Sequence, residues 1–309
     1  MNLDYFWTDN ETMPLLQALQ RWAEQMTTIK ERQVILKNAG IHQALINQLN
    51  TDEPQQFAMR LVAQSKDYSF SVRQPNYHPM INFLKHLCQI AENEISYLSD
   101  EDFTLFSQLV DQGQEKLKIL ASRSAVGRIE SPKGQAIGTG FLVEKDLLIT
   151  CYHVLRNHTQ AWVRFNYNSQ NTARDTDAFA IAIDLNFVSY SGINDFDYAL
   201  VRLERPPTQI ISSLSQKEIN TDDIISIIHH PNGELATVSP PGKITTVGQT
   251  ILHTIPTEHG SSGAPIFNQS WEVIAIHRGN SGIMAARPTD NMTGIPVNQF
   301  RDKILPKIS

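Results

Sequence analysis

The spacing of apolar residues changes once along this chain, near residue 120, and that change limits the fold more than any single motif. Up to that point apolar side chains recur every three or four positions, the period of an amphipathic helix. "DNETMPLLQALQRWAEQM" opens on capping residues and then takes up this period. "TIKERQVILKNAG" continues it and stops on Gly40, a residue suited to a helix end. "IHQALINQLN", "EPQQFAMRLVAQ", "HPMINFLKHLCQIAE" and "SDEDFTLFSQLVDQGQEKLKIL" extend the series, with Pro79 at a first helical turn where its missing N–H costs nothing. Six helices joined by short links predict an all-α helical bundle over residues 1–118. His42, His78 and His86 fall in this part without metal-ligand spacing and read as surface or packing residues.

Beyond that point the apolar runs are short, β-rich and separated by turn chemistry. "SAVGRIE", "GTGFLVE", "LLITCYHVL", "AWVRFNY", "YALVRLE", "DIISIIHHP", "KITTVGQTILHTI", "APIFN" and "VIAIHR" lie within residues 119–309. That density of strands predicts an all-β sandwich or barrel, with the polar segment "ERPPTQIISSLSQKEINTDD" joining two sub-barrels. Charge divides at the same place. Residues 1–118 carry 10 Lys+Arg and 15 Asp+Glu, a balance of −5, whereas residues 119–309 carry 16 and 17, a balance of −1.

A net charge of −6 argues against nucleic acid as a main partner. No apolar run approaches the roughly 20 residues needed to span a bilayer, and "MNLDYFWTDNETMP" has neither the basic start nor the apolar stretch of a signal peptide. Two cysteines far apart, Cys88 and Cys151, fit a reducing compartment. The expectation is a soluble, cytoplasmic protein that needs no cofactor or metal and does not bind a membrane. His229 and His230 invite a metal reading, but adjacent strand residues point to opposite faces and rarely chelate one ion.

Three segments of the β-rich part carry chemistry. "LLITCYHVL" places His153 after an apolar strand, "NDFDYALVRLE" places Asp197 before another, and "HGSSGAPIF" sets Ser262 in a glycine-flanked turn. A serine hydroxyl attacks a carbonyl only when a base takes its proton, and histidine can take it and return it to a leaving amine. A buried carboxylate fixes the imidazole tautomer. Developing charge on the carbonyl oxygen needs preorganised donors, for which the amides of Gly260 and Ser262 are the candidates. The nucleophile elbow of α/β-hydrolases is excluded, because Ala264, Pro265 and a strand follow Ser262 where that elbow requires a helix.

In this order and on this background, "GTGFLVEKDLLITCYHVL", "DFDYALVRLE" and "GSSGAPIF" resemble the trypsin-like serine peptidases over residues 122–305. The resemblance implies a chymotrypsin-like double β-barrel with the site between the barrels. It implies His153 as general base, Asp197 as its orienting acid, and Ser262 as the nucleophile that cuts a protein substrate. The family's acid-x-Ala-Leu pattern selects Asp197 over Asp195, and its usual small residue before the histidine makes Cys151 a space-filler. Pro256 stands where trypsin has its pocket aspartate, so Lys/Arg specificity is not expected. Thr257, five before Ser262, and His277, fifteen after it, resemble the pocket of bacterial glutamyl endopeptidases. That likeness implies cleavage after Glu or Asp. Arg278 and Gly279, which follow His277, join the substrate-binding candidates, Arg278 as a separate source of positive charge. Both pocket side chains can donate to a carboxylate without burying a permanent charge.

Ser261 stands where trypsin's activation ion pair needs an acid, which makes a zymogen of that type unexpected. Control is expected from the front of the chain. Its "ERQVILKNAG", "FAMRLVAQ" and "HPMINFLKHL" segments resemble the effector-associated, death-like adaptor domains of bacterial defence and conflict systems. That resemblance implies an adaptor or sensor protein as partner. A catalytically silent interaction protein that retains the fold is the alternative from a different class.

Overall fold

The computed structural model describes residues 6–26, 28–51, 53–66, 68–93, 98–168, 177–182, 187–279 and 292–307. It divides into one compact unit over Asn2–Leu120 and another over Ala121–Ser309. No described helix is long and apolar enough to cross a membrane.

The first unit holds the six expected helices: α1 (Asp9–Glu24), α2 (Ile29–Asn38), α3 (Gln43–Gln48), α4 (Pro54–Lys66), α5 (Pro79–Asn93) and α6 (Asp100–Ser124). Two starts are fixed by reciprocal caps. The Glu11 carboxylate accepts from the Thr8 N–H at 2.7 Å, and Glu31 does the same for Thr28 at 3.1 Å. On α1 the buried positions are Leu15, Ala18, Leu19, Trp22 and Ala23, one stripe of a 3.6-residue period. Trp22 meets Phe83 of α5 edge to face at 5.2 Å, and Phe57, Leu61, Phe106 and Leu109 close the core around them. His78 is fully buried among Phe6, Trp7 and Tyr68, so it packs, as expected. The residue 118 boundary read from the sequence falls inside α6, which continues without a break to Ser124.

The second unit is two antiparallel sheets of seven strands. The first contains β1 (Val126–Glu130), β2 (Ala136–Leu142), β3 (Leu147–Thr150), β4 (Ala161–Arg164), β5 (Ala178–Ile181), β6 (Ser189–Ser191) and β7 (Tyr198–Arg202), ordered β5-β4-β1-β2-β3-β7-β6. It curls until its far side meets β7 again, through the Ile181–Leu203 bridge and the Ala182 N–H to Arg202 carbonyl bond of 2.9 Å. The second contains β8 (Ile224–His229), β9 (Thr237–Val238), β10 (Gly242–Thr246), β11 (Ile251–His253), β12 (Pro265–Phe267), β13 (Val273–Gly279) and β14 (Met292–Pro296), ordered β10-β11-β14-β13-β12-β8-β9. Because β10 also pairs with β8, six of these strands close into a barrel and β9 hangs outside it. Closure removes the free edges of the sheet. Inward residues such as Phe141, Ile149, Val163 and Leu200 fill the first sheet, and Ile227, Ile244, Ile266 and Ala275 the second.

Candidate active site

Strand register brings the histidine and the acid together. β3 pairs with β7 so that Thr150, its last residue, lies opposite Ala199. His153 follows three residues after Thr150, on the single-turn helix α7 (Tyr152–Leu155), and Asp197 sits two residues before Ala199. The aspartate grips the histidine twice. Its Oδ1 accepts from the His153 backbone N–H at 2.9 Å, and its Oδ2 lies 2.7 Å from Nδ1. Asp197 is buried and adopts φ 46°, a left-handed conformation that aspartate tolerates better than most side chains. Asp195, the rejected alternative, instead accepts from the Ser191 hydroxyl at 2.5 Å.

Ser262 occupies a turn clasped from both sides. Thr139 of β2 donates its N–H to the Ser262 carbonyl at 2.9 Å and its hydroxyl to the Gly260 carbonyl at 2.8 Å. On the other flank the Gly263 N–H donates to His277 at 2.8 Å, and His277 returns a bond to Ala264 at 2.7 Å. Gly263 has φ 89°, and a Cβ there would lie 2.2 Å from the Thr139 carbonyl oxygen, so no other residue fits. The hydrogen bonds within the turn run from Ser261 to Glu258 and from Ala264 to Ser261, which leaves the Gly260 and Ser262 amides out of its internal ladder. The Ser262 hydroxyl donates to the Arg278 carbonyl at 3.3 Å. Gly279, at φ 100°, lies directly beside it, a Cβ there falling 3.4 Å from Oγ.

Thr257 and His277 also meet. Thr257 Oγ1 lies 2.9 Å from His277 Nε2. Behind them stands a residue the sequence did not single out, His253, whose Nε2 is 3.2 Å from His277 Nδ1. β11 and β13 flank β14 on opposite sides, which sets His253 and His277 two strands apart on one inner surface. Only that register could have flagged His253. Burial, with His253 and His229 nearby, holds His277 well below the ordinary histidine range, and burial pushes His253 down to about 4. Thr257, His277 and His253 thus form one hydrogen-bonded chain whose two imidazoles burial disfavours charging.

Arg278 corrects the sequence reading. Its guanidinium does not serve the pocket beside His277. It donates from Nε to Asp197 Oδ2 at 3.1 Å and from Nη2 to the Ile193 carbonyl at 2.6 Å. Successive strand residues face apart, so a cation adjacent to His277 is turned to the acid. Ser261 is fully buried and pairs with His229 Nδ1 at 2.7 Å, and His230 Nδ1 lies 2.9 Å from the Glu234 carbonyl. The two histidines therefore have separate partners and form no metal pair. Among the described residues one group has metal-like spacing, Cys151 with His153 and Asp197. The Cys151 thiol is fully buried, is raised well above its usual range by that burial and by Asp197, and donates to the His277 carbonyl at 3.4 Å. It fills space, as expected, and is a poor ligand in this protonated form.

Comparison with known proteins agrees with this layout. Residues 138–276 match the family described as trypsin-like peptidase domain, and residues 9–123 match effector-associated domain 8. Glutamyl endopeptidases of Staphylococcus aureus strains MW2 and MSSA476 are 30% identical over 166 residues, covering 49% of this chain and 49% and 48% of theirs. The chain thus spans about half the length of these relatives. The active form of the Rv3671c protease from M. tuberculosis superposes with a TM-score of 0.50 at 16% identity, over 62% of this chain and 84% of its own, a likeness of fold. Residues 9–123 thus match an effector-associated domain and residues 138–276 a trypsin-like peptidase domain, and the β unit has the chymotrypsin-like fold.

Proposed function

We infer that this protein is a serine endopeptidase in which Ser262 is the nucleophile, His153 the general base and Asp197 the orienting acid. The two-point grip of Asp197 on His153, at 2.9 and 2.7 Å, carries the reading. It leaves one imidazole nitrogen, Nε2, to accept a proton while the other is held as a donor. In the reaction, the Ser262 hydroxyl turns from the Arg278 carbonyl to His153. Oγ bonds to the substrate carbonyl carbon as its proton passes to Nε2. The negative oxygen of the tetrahedral intermediate is received by the Gly260 and Ser262 amides, each worth about a hundredfold or more in rate. Nε2 then returns the proton to the amine nitrogen as the C–N bond breaks. A water molecule attacks the acyl group, gives a proton to Nε2, and the acid leaves as Oγ recovers its hydrogen.

The preferred residue before the cut is Glu or Asp. Support comes from the Thr257–His277–His253 chain, which offers hydrogen-bond donors without a buried charge, and from the likeness to glutamyl endopeptidases. The helical domain is the recruiting module for a sensor or adaptor protein, a role supported by its match to effector-associated domain 8. A fluorophosphonate probe tests the core of the reading. It should label the wild-type protein and fail to label Ser262→Ala, whereas equal labelling of both would remove Ser262 from the chemistry.

A further inference from the structure

Trypsin's oxyanion loop depends on an acid immediately before the nucleophile, and here that residue is Ser261. The loop must therefore be ordered by other means. Its key peptide joins His259 to Gly260. A trans peptide points its C=O and N–H in opposite directions. Whatever holds the His259 carbonyl outward therefore aims the Gly260 N–H inward. That carbonyl accepts from the Asn232 N–H at 2.5 Å.

Asn232 lies in the single 3-10 turn Pro231–Gly233 and is left-handed, at φ 53°, as is Gly233 at φ 72°. The turn presses on the oxyanion loop directly. A Cβ on Gly260 would stand 2.6 Å from the His230 carbonyl oxygen and 2.9 Å from the Gly233 nitrogen. The turn is anchored in its own right. Arg128 Nη1 donates to the Gly233 carbonyl at 2.8 Å, and the Ala236 N–H donates to the Tyr167 carbonyl at 2.9 Å, under whose ring the Arg128 guanidinium lies at 4.0 Å.

Arg128 in turn is fixed from the first sheet. β1 pairs with β4 so that Arg128 faces Arg164, two like charges in register. Glu130, fully buried, resolves the conflict. Its Oε1 accepts from Arg128 Nη2 at 2.7 Å and from Arg164 Nε at 2.6 Å, while its Oε2 accepts from Arg164 Nη2 at 3.0 Å and from the Gly134 N–H at 2.7 Å. Such a buried cluster is costly to assemble and adds little to stability over apolar packing. A role in positioning accounts for it.

We propose that Arg164, Glu130 and Arg128 form a buried strut that holds the 231–233 turn, and through the Asn232 N–H the His259 carbonyl, in the orientation that keeps the oxyanion hole open without an activation ion pair. These are positioning residues, and the inference rests on the hydrolase reading above. The strut is built within the β unit from permanently charged arginines, so it requires no new chain end to form. The consequence is a peptidase domain whose oxyanion hole is formed at rest.

The test replaces Arg128, Glu130 and Arg164 together by Met, Leu and Met, an exchange that buried ionic triads tolerate because no charge is left unpaired. On a peptide p-nitroanilide with Glu before the scissile bond, kcat should fall by about tenfold or more while KM stays within about threefold, because only the transition state uses the hole. Fluorophosphonate labelling of Ser262 should slow by a similar factor. Asn232 is exposed, so Asn232→Val carries the test if the triple variant does not fold. A β-branched residue resists the left-handed backbone, and the same kcat loss is expected, with Asn232→Gly losing less. Wild-type kcat and labelling in a folded triple variant, or in Asn232→Val, would overturn the strut. A wild-type protein that no phosphonate labels would defeat the hydrolase reading and the strut with it. A labelled wild type with undiminished variants defeats the strut alone.

Discussion

Among the described residues, the helical unit buries four polar or charged side chains and the β unit seventeen. The helical unit is built around an apolar core, and Arg32 and Asp102 are its two buried charges among the described residues. Its buried acid, Asp102, is met by Arg21 at the surface, with Nε 3.1 Å from the carboxylate. The β unit instead carries His–Asp, Ser–His, Thr–His–His and Arg–Glu–Arg groups inside it. Burying such groups is unfavourable unless each is paired. A unit that only has to fold and bind has little use for them. A unit that must aim donors and hold a base at fixed distances has every use for them, and the contrast marks where the chemistry lies.

The largest effect is at Ser262. Ser262→Ala should lower kcat by about 10⁶-fold while leaving the unfolding free energy within about 0.5 kcal/mol of wild type. Measurable residual turnover at a hundredth of the wild-type rate would remove the β unit's claim to be the catalytic one.

Acid should act next, and unequally. Burial lowers His78 in the helical unit to about 3, and lowers His229, His230 and His253 in the β unit to about 4 each. The unfolded chain takes up these protons near pH 6.5 and the folded protein refuses them. The stability they contribute is therefore complete above 6.5 and is lost as pH falls from 6.5 toward 4, or toward 3 for His78. Each contributes up to about 1.4 kcal/mol per pH unit within its window. With His277 also held low by burial, four such histidines stand against one, so the β unit should lose hydrogen-exchange protection more steeply between pH 6.5 and 5 than the helical unit. Parallel losses would contradict the contrast.

The third test places the same substitution in both units. Gly263→Ala meets a backbone oxygen at 2.2 Å from a left-handed residue and should cost about 3 kcal/mol or more. Gly113→Ala, on α6, meets the Ile81 side chain, Cδ1 at 2.5 Å and Cγ1 at 2.6 Å, but no backbone atom, and gains roughly 1 kcal/mol of helix propensity, so it should cost less than Gly263→Ala. Thermal or urea midpoints read both, and a tolerated Gly263→Ala would mean the turn is looser than its clasp implies. The smallest effect concerns selectivity. His277→Val should reduce the preference for Glu over Gln peptides by about tenfold, the worth of one hydrogen bond to a charged group, read as a ratio of kcat/KM values. An unchanged ratio would place the specificity elsewhere.

What the sequence made legible was local. The three-to-four-residue apolar spacing of the front segments and the turn glycines around Ser262 are patterns within about ten residues, and they led to the helices and to the candidate nucleophile. His153 and Asp197 were legible because each lies at a fixed offset from the end of an apolar run and the surrounding motifs resemble those of the trypsin-like peptidases. His253 was not, since its meeting with His277 depends on both strands flanking β14, which no spacing in the chain encodes. Arg278 failed for the related reason that a side chain next to a pocket residue on a strand faces the other way. The Glu130 strut was hidden most deeply. Arg128, Glu130 and Arg164 look like ordinary surface charges until the β1–β4 register turns them inward and sets them together.

Asp197 carries one more consequence. Its backbone sits at φ 46°, where glycine, asparagine and aspartate are at ease and most other residues are not. Of those three, aspartate alone has a carboxylate. The conformational filter and the chemical filter thus pass a single amino acid. Asparagine is the one neighbour that satisfies the backbone while removing the charge, and it is reached by a single nucleotide change. In a lineage that gave up hydrolysis and kept the scaffold for binding, that exchange would spare the backbone, so an asparagine at 197 is one mark to seek when sorting active relatives from retired ones.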